Sequence, residues 1–190
     1  SYNRDGYGDY VLAAPSPLAP KTAPSPVEDV GIFPMSDTAI KVVFSKSSDL
    51  GGAAITRYRV QWDMDSTFVN IATSGFQYDI VVSDPAQTQF CYNIPIPSAS
   101  STIARYVRVL AYNDYDWSAP AASTPTSVAA QLLAPGSVQN VALSSTSATG
   151  MRVSFGAPSA SVCEYGGDGG SPITSYLIEY DENSDFNSPA

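Results

Sequence analysis

Residues Val27 to Phe44, VEDVGIFPMSDTAIKVVF, recur 111 residues later as Val138 to Phe155, VQNVALSSTSATGMRVSF. Val27/Val138, Val30/Val141, Ser36/Ser147, Thr38/Thr149, Val42/Val153 and Phe44/Phe155 are identical, while Glu28/Gln139, Asp29/Asn140, Ile32/Leu143 and Lys41/Arg152 keep size or charge. A second block follows in the same order: Gly51 to Phe68, GGAAITRYRVQWDMDSTF, matches Gly169 to Phe186, GGSPITSYLIEYDENSDF, at an offset of 118. The offsets of 111 and 118 place seven extra residues between the blocks of the second copy. Blocks kept in order around a connection of variable length mark two copies of one domain.

Outward from that stretch, short strands alternate with turns. Ile40, Val42 and Phe44 alternate with Lys41 and Val43, and Tyr58, Val60 and Trp62 with Arg57, Arg59 and Gln61. Phe90, Tyr92 and Ile94, then Val107, Val109 and Ala111, do the same further on. A period of two sends one set inward and the other outward. The connectors SSDLGG, SDPAQ, PIPSASS and NDYDWSAP hold the Gly, Pro, Asp and Ser that turns require. The expected fold is an all-β antiparallel sandwich, with no helical stripe competing. Ala119 to Gln131, rich in Pro, Ser, Thr and Ala, reads as a last edge strand and a short linker. In the second copy Val138, Val141 and Leu143 belong to the first strand, Met151, Val153 and Phe155 to the second, and Tyr176, Ile178 and Tyr180 to the third.

Ahead of the repeats, residues 1–10 read as a polar tail. Residues 11–26, VLAAPSPLAPKTAPSP, favour extended polyproline II and form a semi-rigid spacer. If the protein is secreted, Ser16, Thr22 and Ser25 in this spacer are candidate O-glycan acceptors, a plain linker being the simpler reading.

Eighteen acids against nine bases, with no His, argue against a nucleic-acid binder, whose partner demands basic patches. The second copy is the acidic end, with Glu164, Asp168, Glu179, Asp181, Glu182 and Asp185 and no Lys or Arg after Arg152. A solvated surface accounts for this, with cation or basic-partner binding as the alternative. No apolar run is long enough to span a membrane. Without His the commonest general base and metal ligand is missing, and no G-x-S-x-G, P-loop or G-x-G-x-x-G occurs. The expectation is therefore no enzyme, no cofactor and no metal.

Asp168 to Asp181, DGGSPITSYLIEYD, preceded by Gly156-Ala157-Pro158, resembles the B–C region of fibronectin type III domains. Tyr106 to Pro120, YVRVLAYNDYDWSAP, resembles that family's F–G region through Val107, Val109, Ala111, Asn113, Ser118 and Pro120. The resemblance implies an immunoglobulin-like sandwich organised as tail and linker (1–26), a complete domain (27–128), a linker (129–133) and strands A, B and C of a second domain (134–190). A sandwich that stops after three strands leaves open edges and an apolar face, which implies a segment of a longer polypeptide or strands supplied from elsewhere. Three positions depart from the family. Phe44 and Phe155 stand where it has Trp, the tyrosine-corner position falls on Arg105, and Asp116 replaces a turn Gly.

The same resemblance places Cys163, in the seven-residue insertion, at the pole facing the preceding domain, and Cys91 on that domain's E strand near the facing pole. An interdomain disulfide is one reading; free thiols or partners outside the chain are the others. Tyr115 and Trp117, displayed by the F–G turn, are candidate interface anchors, or else the Trp covers its own sheet edge. The repeated motif D-x-[DN]-S-x-F at Asp63–Phe68 and Asp181–Phe186 reads as an Asx turn with the Phe tucked back, or as oxygens for calcium. Neither an N-x-[ST] sequon nor RGD occurs. The functional expectation is a non-catalytic spacer and contact module of an extracellular multi-repeat protein, whose partners are neighbouring repeats or copies of itself. An accessory module of a secreted polymer hydrolase, such as a glycoside hydrolase, and a cytoplasmic tandem-repeat scaffold are the alternatives.

Overall fold

The computed structural model describes residues 1–190 apart from 13, 15–19, 159–162, 164–165, 182 and 187–190. Strands β1 (Tyr2–Asn3) and β2 (Gly6–Tyr7) form a small hairpin in the segment expected to be a tail. Asp5 N–H donates to Asn3 Oδ1 at 2.9 Å and Gly6 takes φ 132°, so the Asn-Arg-Asp-Gly run supplies turn chemistry that periodicity does not register.

The first copy contributes β3 (Glu28–Ser36), β4 (Ala39–Ser45), β5 (Ile55–Asp63), β6 (Gln77–Val81), β7 (Gln89–Pro95), β8 (Arg105–Asn113) and β9 (Ala121–Val128). They join in the order β6-β5-β8-β9-β3-β4-β7. The sheet curls into two layers, β7-β4-β3 and β6-β5-β8-β9, linked by the parallel pairing of Gly31 with Thr124. This is an all-β, immunoglobulin-like sandwich. Its open side is closed by side chains: the rings of Tyr78 on β6 and Tyr92 on β7 stack at 4.3 Å.

The inward sets meet between the layers. Ile40, Val42, Phe44, Val60, Ile94, Val109 and Ala111 are fully buried, each large aliphatic or aromatic side chain contributing about 1.5–3 kcal/mol by burial. Phe44, where the resembled family has Trp, packs against Tyr58 at 5.1 Å and Phe90 at 5.7 Å.

Two expectations for this copy are corrected. β9 is not an edge strand, since it lies between β8 and β3, and the edges are β6 and β7. Pro125, which has no N–H for a ladder, is accommodated where the β8–β9 register shifts, between Tyr106↔Ser127 and Arg108↔Ala122. Residues 20–26 are not a free spacer either. Thr22 N–H donates to Gly51 O and Ser25 N–H to Asp49 O, both at 2.9 Å, and Pro24 is buried. A short helix, α1 (Ile71–Ser74), interrupts the β5–β6 connection and ends at Gly75 with φ 66°.

In the second copy, β10 (Gln139–Ser147) and β11 (Gly150–Gly156) form a two-stranded sheet. Its start repeats that of β3: Asp29 and Asn140 both take φ 52°, and the ladder skips between Glu28 and Gly31 as it does between Gln139 and Ala142. Asp and Asn tolerate this left-handed conformation. The expected third strand around Tyr176–Tyr180 makes no ladder. Its counterpart β5 pairs only with β6 and β8, for which the second copy here holds no equivalents. The segment still sits in its place, with Phe155 and Tyr176 at 5.0 Å matching Phe44 and Tyr58 at 5.1 Å.

Candidate interaction surfaces

The loop Leu50–Ala53 organises one pole of the first copy. Gly51 and Gly52 take φ 65° and 78°, and a Cβ at Gly52 would stand 2.6 Å from Pro20 O, so only glycine fits beneath the arm. Asn113, fully buried, ties the pole together: its Nδ2 donates to Thr22 O at 2.7 Å and Leu50 O at 2.9 Å. Its Oδ1 accepts the N–H groups of Tyr115 and Asp116, both at 3.0 Å. Those two bonds shape the turn that carries Asp116 where a Gly was expected.

The same device builds the junction between the copies. Leu133 N–H donates to Gly169 O at 2.9 Å, repeating the Thr22–Gly51 bond. Gly170 then faces the first copy, where a Cβ would stand 2.7 Å from Ser36 Cα and 2.9 Å from Met35 O. Pro20 and Ser36 thus occupy equivalent seats over Gly52 and Gly170. Cys91 and Cys163 also join the copies, through a disulfide with Cα atoms 5.3 Å apart and 72 residues of sequence separation. Cys91 is the third of seven residues in edge strand β7, opposite Val43, so the bond lies along the flank of the sandwich rather than at its pole.

A second surface covers the outer face of β5, β6 and β8. The outward set expected on β5 forms a stack: Arg59 Cζ lies 4.3 Å from the Trp117 ring centre, Arg57 Cζ 5.2 Å from it and 4.3 Å from that of Tyr112. Asp79 on β6 accepts two bonds from Arg59, Nε at 2.6 Å and Nη2 at 2.7 Å. The hydrogen bond from Arg59 holds the Asp79 carboxyl below its usual pKa. Arg108 extends the stack, over the Phe68 ring at 4.2 Å and donating to Gln61 at 2.8 Å. Trp117 therefore lies on its own sheet while Tyr115 is 61 % exposed, so the two aromatics do not form one patch. The arginines of this stack were legible only as outward positions; their partners are too far away in sequence to be seen there.

The D-x-[DN]-S-x-F motif is an Asx turn in both copies. Asp63 Oδ1 accepts Asp65 N–H at 3.1 Å, Asp181 Oδ1 accepts Asn183 N–H at 2.9 Å, and Phe68 and Phe186 take φ 57° and 52°. Asp63 is fully buried and also accepts Asn70 N–H and Nδ2, each at 2.9 Å. Burial pushes its pKa up, but these hydrogen bonds outweigh it and the net shift is downward. Nearby, buried Arg105 does the work of a corner tyrosine: Nη1 donates to Ile103 O at 2.6 Å and Nη2 to Ser100 Oγ at 2.9 Å. No group of three His, Cys, Asp or Glu that could hold a metal occurs among the described residues. Among those residues, too, no helix is long and apolar enough to cross a membrane.

Of the three spacer hydroxyls, Thr22 is exposed, whereas Ser25 Oγ is partly buried and accepts Asp49 N–H at 3.1 Å; Ser16 lies outside the described residues. The second copy presents an apolar groove of about 960 Å³ lined by Val141, Leu143, Met151, Val153, Tyr176 and Tyr180. All six are partly or fully exposed, and their first-copy counterparts Val30, Ile32, Ile40, Val42, Tyr58 and Trp62 are all buried.

No family model and no curated protein matches the chain. Among solved structures it is similar to domains A168–A170 of titin, at TM-score 0.40 and 18% identity over 58% of this chain and 33% of that one. It is likewise similar to titin kinase and its flanking domains, at TM-score 0.37 and 17% identity over 57% of this chain and 17% of that one. The chain thus spans a third or less of either titin fragment, and at these scores the likeness adds nothing to the architecture already described.

Proposed function

We propose that the chain is a non-catalytic segment of an extracellular multi-repeat protein, in which fibronectin type III-like sandwiches act as spacers and protein contact surfaces. Residues 27–128 form the complete domain and 134–190 the first strands of the next. The junction carries this reading. Its Gly169–Gly170 turn seats on the preceding copy as Gly51–Gly52 seats on the arm, and a disulfide joins the two copies. A structural disulfide fits an oxidising, extracellular compartment. Neighbouring repeats or further copies of the chain are the partners this design suits, in a filament or a surface appendage. Electron microscopy and size-exclusion chromatography of the full-length protein test the reading. Elongated particles with a beaded repeat are expected; a compact particle with a catalytic core would overturn it.

A further inference from the structure

We propose that the Cys91–Cys163 bridge is a thiol-gated limiter of extension, a role that rests on the spacer reading above. Tension between a point before Cys91 and a point after Cys163 passes from β7 through the disulfide into the second copy. The 72-residue span between the two cysteines is bypassed. It contains β8, β9, the inter-repeat connection, β10 and β11, so the connection between the copies bears no load while the bridge is closed. The insertion that lengthens the second copy is what carries Cys163, and the corresponding loop of the first copy, residues 45–50, has neither the insertion nor a cysteine. The bridge therefore belongs to the junction and not to the sandwich design.

Opening the bridge requires an external dithiol. Its thiolate attacks one cysteine sulfur, the S–S bond breaks, and the other sulfur leaves as a thiolate that takes up a proton. The dithiol's second thiol then displaces the first cysteine, so the reductant ends as a disulfide and the protein as two thiols. Because the exchange adds two electrons and two protons and cuts no backbone, it is reversible.

The length at stake is large. A fully extended residue spans at most about 3.3–3.6 Å, so releasing the bypassed span adds about 240–260 Å to the stretched chain. The test is single-molecule stretching of the whole chain with handles at residues 1 and 190, before and after addition of dithiothreitol. The oxidised chain is expected to reach its limit about 240–260 Å short of the reduced one. The Cys91→Ser/Cys163→Ser variant should match the reduced length without reductant. Equal lengths in both states, or a variant that keeps the short limit, would overturn the proposal. The difference is read at complete extension and does not depend on how either copy is folded. Equal lengths would leave the spacer reading standing, whereas a compact full-length particle would remove that reading while the length difference remained.

Discussion

Asp63 shows how one side chain joins a turn to the core. Its carboxylate receives two bonds from Asn70 and one from Asp65 in a fully buried position. Asp63→Ala would leave those donors unsatisfied, at about 1–3 kcal/mol; urea denaturation followed by tryptophan fluorescence should show it, and an unchanged midpoint would contradict it. The same residue sets a pH dependence. Asp63 and Asp79 both have folded pKa values below the ordinary carboxylate value, so the unfolded chain takes up protons first. Their stabilisation is complete above about pH 4–5 and lost as the pH falls through the folded values. The thermal midpoint of the first sandwich should therefore drop on acidification below about pH 4, and a midpoint that rose there would reverse the sign argued. Gly170 governs the junction in the same way. With φ 87° and Ser36 Cα in its path, Gly170→Ala should loosen the junction, which amide exchange at Leu133 would report as faster exchange.

At the scale of elements, the strands were legible because their apolar residues alternate. Ile40-Val42-Phe44 and Val107-Val109-Ala111 are buried as the period of two requires, but Lys41 and Gln61, expected on the outward set, are buried as well. The position of β9 was not legible, since a Pro-bearing strand reads as an edge until the bulge that accommodates Pro125 is seen. The packing of residues 20–26 was hidden for a related reason. Their bonds use backbone groups and the distant Asn113 side chain, which leave no pattern in a proline-rich composition. Arg105 at the corner position was visible as a departure. Only the structure shows that its fork reaches the same kind of upstream acceptor. The groove on β10 and β11 follows directly from the repeat, because its lining residues match buried residues of the first copy. The 190-residue chain should therefore bind 8-anilinonaphthalene sulfonate there, and Met151→Glu with Val153→Glu should abolish the fluorescence gain. Undiminished fluorescence would place the dye elsewhere.

For the whole molecule, the two copies and their order could be read from the repeat, but how they meet could not. The spacing of Cys91 and Cys163 left free thiols and outside partners open, because pairing depends on which loop lies against which strand. The glycine seat was equally hidden: GGAA and GGSP look like turn signals, and their role as a docking surface appears only when Ser36 is found above Gly170. Closing a loop of 72 residues removes chain entropy from the unfolded state worth about 4 kcal/mol. Reduction should accordingly lower the urea midpoint of the junction. That this junction is covalent is tested by a non-reducing peptide map of the natively purified protein, alkylated before digestion. One cross-linked pair holding Cys91 and Cys163 is the predicted result; recovery of both cysteines as separate alkylated peptides would contradict the account.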